Sequence, residues 1–486
     1  MEKTTRIAVV ASPGFSHLVP ILEFSKRLVH LHPDFHVTCI IPALGSHPPS
    51  SIAYLQSLPH SKIDSILLEP IPKHKISQDE VTAYQIETTV NLSLPFIHRE
   101  LKSLKSKSAG LAAFVVDIFA LDALAIASDL EVFSYIYLPQ AAMIFSLYNY
   151  SLTLDETVSS EFRDLKELIK IPGCVPIHGR DLPLVFQDRS GLSYKMFLER
   201  CRKFSSADGV LFNSFEALEP ETIRALREET LNQAKKEEEK TTTQVYAVGP
   251  IIQSGSSNEI NGSGHSDYCL TWLNNQPERS VLYVSFGSGG TLSQDQLNEL
   301  AHGLELSEAR FLWVVRAPSK VSSAAYLDNT LNENNPLDFL PEGFLERTKE
   351  RGLVVPSWAP QIPILKHSSV GGFLSHCGWN STLEGIIHGV PFITWPLFAE
   401  QRTNAVLLVH GLKVAVWPKA NEDANGGIVE RKEIAEAIRR LMMEGEESDG
   451  IRERINALKL EADNALKEDG ASTMTLSAFA YSLRGK

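Results

Sequence analysis

Short apolar runs alternate along this chain with longer amphipathic stretches, and this alternation limits the possible folds more than any other feature. Residues 7–10 (IAVV) form the first run, a helix-spaced pattern follows from His17, and residues 35–41 form the second run. Further strands of the same kind are predicted at residues 113–117, 209–213, 281–286, 311–315, 370–374 and 391–395. Buried strands separated by helices pair in parallel through crossover connections. The sequence therefore predicts an α/β protein with parallel sheets.

A polar segment divides this alternation into two parts. Residues 253–266 (QSGSSNEINGSGHS) are rich in Gly, Ser and Asn and offer no side chains for a core, which is typical of a linker. The chain has 486 residues, enough for more than one domain when a domain takes about 150. We therefore expect two Rossmann-like halves, with the functional site in the cleft between them.

The charge and cysteine content exclude several classes of protein. The 46 Lys and Arg residues against 59 Asp and Glu residues give a net charge of −13, which does not suit a partner such as nucleic acid or anionic lipid. The five cysteines are scattered without a CxxC pair, so neither a disulfide framework nor a zinc site is expected. We see no signal peptide and no apolar run long enough to span a membrane. These features predict a soluble, cytoplasmic protein without a metal.

The glycine-rich turns carry little information on their own. Residues 287–290 (GSGG) follow a predicted strand and precede a predicted helix that begins near Ser293, but they match neither GxGxxG nor GxxxxGK[ST]. An ordinary turn and an anion site remain equally compatible with this segment. A nicotinamide oxidoreductase would need the full dinucleotide fingerprint, and residues 14–18 (GFSHL) lack the last glycine of a hydrolase nucleophile elbow.

The most specific pattern lies at residues 358–401. Its strand at 370–374 leads into residues 375–382 (SHCGWNST), and a helix is predicted from about Leu383. A helix N-terminus has unpaired N–H groups and a partial positive charge, which suit a pyrophosphate. Glu384, one turn into the helix, can accept both hydroxyls of a ribose.

Each of these features also has an ordinary structural explanation. Trp379 could belong to the core, and Asn380 and Ser381 could simply cap the helix. Trp358, however, adds a flat face for stacking a base. Because all of these residues fall within one strand–turn–helix unit, the pattern indicates a nucleotide site.

Residues 358–401 resemble the signature (PSPG motif) of plant family 1 UDP-sugar-dependent glycosyltransferases, and the similarity extends over essentially the whole chain. The resemblance implies a GT-B fold, in which two Rossmann-like domains face a cleft and a C-terminal helix packs back on the N-terminal domain. We therefore expect an acceptor-binding domain, a linker, a UDP-sugar-binding domain and a C-terminal helix at residues 1–250, 251–266, 267–465 and 466–486.

The resemblance also implies a role for individual side chains of the donor site. The expected contacts are with uracil (Trp358, Ala359), with ribose (Gln361, Glu384), with the phosphates (Ser288, His376, Asn380, Ser381) and with the sugar (Trp379, Glu400, Gln401). A terminal Gln in this signature goes with a glucose donor more often than with a galactose donor. UDP-glucose is therefore the expected co-substrate, and no cofactor or metal is implied.

His17 and Asp117 fall on the catalytic positions of the family. His17 follows the first strand, where it can meet an acceptor hydroxyl, and Asp117 ends a later strand at the edge where open α/β sheets bind ligands. The expected mechanism has His17 as general base and Asp117 orienting its imidazole. The acceptor oxygen attacks the anomeric carbon, UDP leaves, and the product is a β-glucoside.

The expected acceptor is a small plant phenol, phenylpropanoid or flavonoid. A phenol is far easier for a histidine to deprotonate than an aliphatic alcohol, since its pKa is about 10. Residues 178–189 also resemble the hydroquinone and phenylpropanoid glucosyltransferase branch of the family. The candidate acceptor-pocket residues are Phe15, Phe119, Gln140, Phe145, Tyr148 and Phe186.

Two positions depart from the family pattern. Phe15 occupies a loop where relatives have small residues, and Gln140 stands where they commonly carry Ser or Thr in contact with the donor sugar. The alternatives to the expected function are therefore a transferase for another UDP-sugar and a nucleotide-sugar-binding protein without catalysis. A monomer is expected.

Overall fold

The computed structural model describes residues 4–77, 82–107, 110–236, 243–254, 264–323, 335–418 and 427–484. These residues build two parallel sheets, each in its own compact unit. The first unit contains Met1–Arg180, Val185–Gly255 and Asp463–Lys486, and the second contains Asp181–Leu184 and Ser256–Ala462. The predicted class, two Rossmann-like α/β domains, is confirmed.

The first unit has a seven-stranded sheet in the order β3-β2-β1-β4-β5-β6-β7, with every pair parallel. Its strands are β1 Thr5–Val10, β2 Phe35–Ile41, β3 Ile63–Leu67, β4 Ala113–Asp117, β5 Phe133–Leu138, β6 Gly209–Phe212 and β7 Gln244–Ala247. Its helices are α1 Phe15–Leu31, α2 Pro49–Gln56, α3 Thr82–Ser106, α4 Leu124–Asp129, α5 Ala142–Thr157, α6 Leu192–Arg202 and α7 Pro220–Lys236.

The second unit has a six-stranded parallel sheet in the order β10-β9-β8-β11-β12-β13. Its strands are β8 Val281–Ser285, β9 Arg310–Val315, β10 Gly352–Pro356, β11 Val370–Ser375, β12 Phe392–Thr394 and β13 Ala415–Val416. Its helices are α8 Gly264–Asn274, α9 Gln294–Ser307, α10 Phe344–Thr348, α11 Gln361–Leu365, α12 Trp379–His388, α13 Gln401–Val406 and α14 Arg431–Met442. The chain ends with α15 Glu446–Ala465 and α16 Ala471–Leu483.

The central strands are buried because both faces of each sheet are covered. Every residue of β4 and β8 is buried, as the continuous apolar runs predicted. Helix α9 begins where the sequence predicted, and the Ser293 side chain caps it by accepting a hydrogen bond from the Gln296 N–H at 3.2 Å. The sequence pattern and the packing therefore agree in the middle of both sheets.

Most of the predicted linker lies outside the described residues. Residues 255–263 are not among them, and helix α8 already begins at Gly264. The predicted boundaries at 250 and 267 therefore stay a prediction. No helix among the described residues combines the length and the apolar character needed to cross a membrane.

Helix α16 completes the core of the first unit. The Phe479 ring is fully buried, and its centre lies 4.9 Å from that of Tyr135 on β5 and 5.8 Å from that of Tyr246 on β7. On the outer part of the unit, Arg484 follows the helix and donates two hydrogen bonds to Asp34 at 2.6 and 2.7 Å. Helix α16 is therefore part of the core of the first unit.

Replacing Phe479 should destabilise the first unit. Phe479→Ala leaves a cavity between α16, β5 and β7, so we expect the free energy of unfolding to fall by about 3–5 kcal/mol. Met474→Ala on the same helix is the matched control, because this side chain is 61% exposed and should change stability by less than about 0.5 kcal/mol. Urea unfolding followed by circular dichroism measures both. Equal values for the two variants would contradict the proposed packing role.

Candidate active site

The first unit brings His17 and Asp117 together at the carboxyl edge of its sheet. Strands β1 and β4 are neighbours, and Asp117 is the last residue of β4, whereas His17 lies in the first turn of α1, after β1. His17 Nδ1 lies 2.9 Å from Asp117 Oδ2. Asp117 Oδ1 also accepts a hydrogen bond from the Ser12 hydroxyl and one from the Phe119 N–H at 3.2 Å.

These contacts determine what the pair can do chemically. The Asp117 carboxylate is fully buried, so its hydrogen bonds compensate for the loss of water. A carboxylate accepts hydrogen bonds, so the His17 tautomer assigned from this contact carries its proton on Nδ1. Nε2 is then the basic nitrogen of the ring, and Asp117 would stabilise the imidazolium after it takes up a proton. Sequence reasoning missed Ser12, although its place just after a buried strand was a signal.

One of the predicted acceptor residues, Phe119, lies beside this pair. The centre of the Phe119 ring is 5.1 Å from that of the His17 ring, in an edge-on arrangement. Phe15 is the first residue of α1 and contacts the Tyr54 ring edge-on at 6.0 Å. The Phe119 ring is therefore an aromatic neighbour of the imidazole, whereas Phe15 packs against Tyr54.

The other predicted acceptor residues have different surroundings. Gln140 lies just before α5, is 9% exposed, and its Oε1 has no hydrogen-bond partner among the described residues. The Phe145, Tyr148 and Phe186 side chains are buried in a cluster with other aromatic rings, at centre-to-centre distances of 4.9–5.4 Å for their shortest contacts. This placement favours a packing role for these three rings.

In the second unit, the turn between β11 and α12 differs from the sequence prediction. The helix begins at Trp379, one turn earlier than the predicted start near Leu383, and Gly378 is its N-cap without any side-chain hydrogen bond. Cys377, with φ at 63°, forms the turn directly after β11, and the helix begins two residues later. The alternative explanation, in which Asn380 or Ser381 only caps the helix, does not hold, because both lie inside its first turn.

A polar cluster lies at this end of α12. The Gln361 amide donates hydrogen bonds to Ser381 Oγ at 2.8 Å and to Glu384 Oε2 at 2.6 Å, and its oxygen accepts one from the Tyr283 hydroxyl at 3.4 Å. Burial raises the pKa of Glu384 to about 7, against the opposing effect of the Gln361 hydrogen bond. The predicted ribose residues are thus brought together.

His376 is packed between two glycines. A Cβ at Gly287 or at Gly378 would come within 2.5 Å of its ring, so both positions need glycine, and Gly287 also has φ at +72°. Burial, with a contribution from the Arg316 charge, lowers the pKa of His376 to about 4. The ring is therefore neutral at physiological pH. Its Nδ1 has no hydrogen-bond partner among the described residues.

Sequence reasoning missed Arg316, which follows β9 directly. Its guanidinium donates to the Ser288 carbonyl and, at 3.1 Å, to the Ser357 carbonyl. Arg316 therefore joins the loop that carries Ser288 to the loop that carries Trp358. A charged residue directly after a buried strand was the available signal.

The remaining predicted donor residues lie on two further segments of the second unit. Trp358 is half-buried and follows Ser357, whose φ is 63°, while Ala359 is buried. Trp379 is buried at the start of α12, and Glu400 immediately precedes α13. Gln401 is buried, and its Oε1 accepts hydrogen bonds from the Leu397 and Phe398 N–H groups at 2.8 and 3.1 Å. Within the described residues, no three His, Cys, Asp or Glu side chains gather as metal ligands would.

A protein family and several full-length relatives match this chain. Residues 254–444 match the family described as UDP-glucoronosyl and UDP-glucosyl transferase. A hydroquinone glucosyltransferase from Rauvolfia serpentina is 46% identical, over 100% of this chain and 99% of the relative. UDP-glycosyltransferase 72B1 from Arabidopsis thaliana is 45% identical, over 99% of this chain and 96% of its own.

Solved structures are also similar over nearly the whole chain. A UDP-glucosyltransferase from Polygonum tinctorium capable of glucosylating indoxyl, in complex with 3,4-dichloroaniline, is 43% identical, with a TM-score of 0.87 and 99% of each chain covered. An enzyme from Phytolacca americana, in complex with UDP-2-fluoro-glucose and pterostilbene, is 41% identical, with a TM-score of 0.85 and coverage of 99% and 100%. These are glycosyltransferases of the GT-B fold.

The packing of His376 gives a testable prediction about Gly287. Gly287→Ala combines a positive φ with a Cβ that would lie 2.5 Å from the imidazole, so we expect the second unit to lose about 1–3 kcal/mol of stability. Gly427→Ala is the matched control, because Gly427 has φ at +85° but nothing within 4 Å of the added Cβ. Thermal unfolding should rank Gly287→Ala clearly below Gly427→Ala. Equal losses would show that only the backbone conformation matters.

Proposed function

Because the chain belongs to the UDP-glucoronosyl and UDP-glucosyl transferase family, we propose that it transfers glucose from UDP-glucose to a phenolic hydroxyl with inversion. The observation that carries the proposal is the His17–Asp117 pair at 2.9 Å, since a histidine oriented by a buried carboxylate is a suitable general base. The acceptor is a simple phenol, a phenylpropanoid or a flavonoid.

The first unit supplies the chemistry at the acceptor. His17 Nε2 takes the proton from the acceptor hydroxyl, and Asp117 holds the ring and stabilises the imidazolium. The acceptor oxygen then forms a bond to the anomeric carbon as the bond from that carbon to UDP breaks. Attack from the opposite face gives a β-glucoside, and UDP leaves with both electrons of the broken bond. Phe119 and Phe15 provide aromatic surface for the acceptor ring.

The second unit holds the donor in this proposal. Trp358 stacks on uracil, with the Ala359 backbone beside it, and the Gln361–Glu384 pair meets the ribose. The N-terminus of α12 meets the diphosphate with Asn380 and Ser381, while His376 and Ser288 contribute further donors. Donors fixed in this way stabilise the charge that develops on the leaving diphosphate. Trp379, Glu400 and Gln401 then face the glucose.

A phenolic acceptor fits both the chemistry and the relatives. A phenol ionises near pH 10, so a neutral imidazole can remove its proton more easily than that of an aliphatic alcohol. Hydroquinone names the Rauvolfia relative and pterostilbene is bound in the Phytolacca structure, and both molecules are phenols. A solution assay of UDP-glucose and other UDP-sugars against a panel of phenols, with product analysis, tests the donor and the acceptor together.

Loss of the proposed base should greatly slow turnover but leave donor binding intact. We expect His17→Ala to lower kcat by about 10²- to 10⁴-fold, as for other general bases. The affinity for UDP-glucose should stay unchanged, because the donor residues lie in the second unit. Steady-state kinetics with a phenol and calorimetric titration with UDP-glucose measure the two effects.

His30→Ala on the same helix is the matched control, since His30 is exposed near the end of α1. It should retain full activity. Near-normal turnover in His17→Ala would show that another group removes the proton.

Donor binding should depend on the ionisation of Glu384. The ionised carboxylate accepts both ribose hydroxyls, but the pKa of Glu384 is raised to about 7 by burial, so most of the protein carries the neutral acid at pH 6. Binding favours the ionised form, so affinity for UDP-glucose should rise from pH 6 to pH 8. The diphosphate of UDP-glucose does not titrate between pH 6 and pH 8. The pKa of His376, about 4, also lies below this range.

Calorimetry of UDP-glucose binding in two buffers of different ionisation enthalpy measures the protons released. Glu384→Gln should bind more weakly and with much less dependence on pH. A wild-type affinity that stays constant from pH 6 to pH 8 would contradict the role of Glu384.

A further inference from the structure

Four residues from the first half of the sequence belong to the second compact unit. They are Asp181–Leu184, part of the segment 178–189 that the sequence singled out. The Leu184 N–H donates to the Ala399 carbonyl at 3.1 Å, and the Thr403 hydroxyl donates to the Asp181 carbonyl at 2.9 Å. These two bonds lie on either side of Glu400 and Gln401.

The Asp181 side chain adds a charged contact to the same place. Its Oδ1 accepts hydrogen bonds from Arg402 Nε at 3.1 Å and from Arg402 Nη2 at 2.9 Å. The Asp181 side chain is 11% exposed and that of Arg402 is 42% exposed, so the carboxylate is largely shielded from water. A charge-assisted pair of this kind is stronger and more directional than one on the open surface.

Helix α13 continues directly into a π-helical turn at Leu407–Gly411, so its C-terminal end is supported by the residues that follow. Its first turn is held by the contacts with Asp181. Asn404 of the same helix is also held in place, because its Nδ2 donates to the Cys377 carbonyl at 2.9 Å. Gln401, the first residue of the helix, has its Oε1 held by the Leu397 and Phe398 N–H groups. The Gln401 amide is therefore oriented both by α13, which carries its backbone, and by the turn at Leu397 and Phe398, which holds its Oε1.

We propose that Asp181 is a positioning residue for the donor sugar. Its carboxylate holds Arg402, and its backbone carbonyl holds Thr403. These contacts fix the start of α13 and so direct Gln401 and Glu400 toward the hexose. The inference rests on the proposed function, in which these two residues contact the sugar while uracil and the phosphates are bound elsewhere. Asp181 itself touches neither the sugar nor the acceptor in this scheme.

The test compares binding of UDP-glucose with binding of UDP. We expect Asp181→Ala to raise the Kd for UDP-glucose about tenfold, equivalent to about 1.4 kcal/mol. The Kd for UDP should rise by less than about twofold. KM for UDP-glucose should rise more than kcat falls. Hydrogen exchange should become faster in residues 397–406, a readout that does not depend on the sugar.

Glu299→Gln is the matched control. Glu299 also forms a hydrogen-bonded ion pair with an arginine, Arg431, in the same unit, on elements that carry none of the proposed donor contacts. It should leave both affinities unchanged. Should Asp181→Ala fail to fold, Arg402→Lys keeps the charge but loses the planar fork, and should shift the ratio of the two Kd values in the same direction.

The outcomes separate this inference from the proposed function. The role of Asp181 would be overturned if binding of UDP and of UDP-glucose weakened equally, or if hydrogen exchange in residues 397–406 stayed unchanged. A wild-type protein that binds UDP but transfers no sugar from UDP-glucose would instead overturn the proposed function. Selective weakening of UDP-glucose together with faster exchange supports the positioning role.

Discussion

The parallel arrangement of the strands is the constraint on which the site depends. In a parallel sheet every strand returns through a crossover, so the carboxyl ends of all strands meet at one edge. Ser12 and Asp117 follow or end adjacent strands of the first sheet and therefore come into contact, although 105 residues separate them. Ser288, Arg316 and His376 follow strands of the second sheet in the same way. Which residues meet at the site is therefore determined more by the edge at which each strand ends than by the local sequence around each residue.

Two buried carboxylates in this structure illustrate how the surroundings set a role. Asp117 receives hydrogen bonds from a hydroxyl, a backbone N–H and an imidazole, which suits a group that orients a base. Glu384 receives a hydrogen bond from the Gln361 amide, and burial raises its pKa to about 7. A carboxylate with remaining acceptor capacity suits the binding of a diol, because each hydroxyl of the ligand supplies a donor. In the proposed function, the same chemical group thus serves catalysis in one unit and recognition in the other.

The sequence predicted the centre of each sheet better than its edges. Central strands such as β1 and β8 are continuous apolar runs, whereas β3 and β7, at the two edges of the first sheet, and β10 and β13, at the edges of the second, were not predicted. An edge strand can be covered less completely, so its side chains need not be apolar, as the exposed residues of β3 show. The two residues of β13 are apolar and buried, but they are too few to form a recognisable run. Strand β5 was missed for a different reason. It lies within a long apolar stretch where periodicity does not reveal the boundaries.

For the site, the sequence identified residues that follow predicted strands or lie in one signature, but not the residues that hold them. Arg316 and Ser12 could have been predicted from the sequence, because each is a polar residue just after a buried strand. Asp181 was not, because 221 residues separate it from Arg402 and nothing near either residue indicates the other. The net charge of −13 was equally uninformative about the diphosphate site. Helix N-terminal N–H groups carry no formal charge, and the guanidinium of Arg316 is engaged by two backbone carbonyls, so the proposed donor site depends on the placement of dipoles rather than on the number of charges.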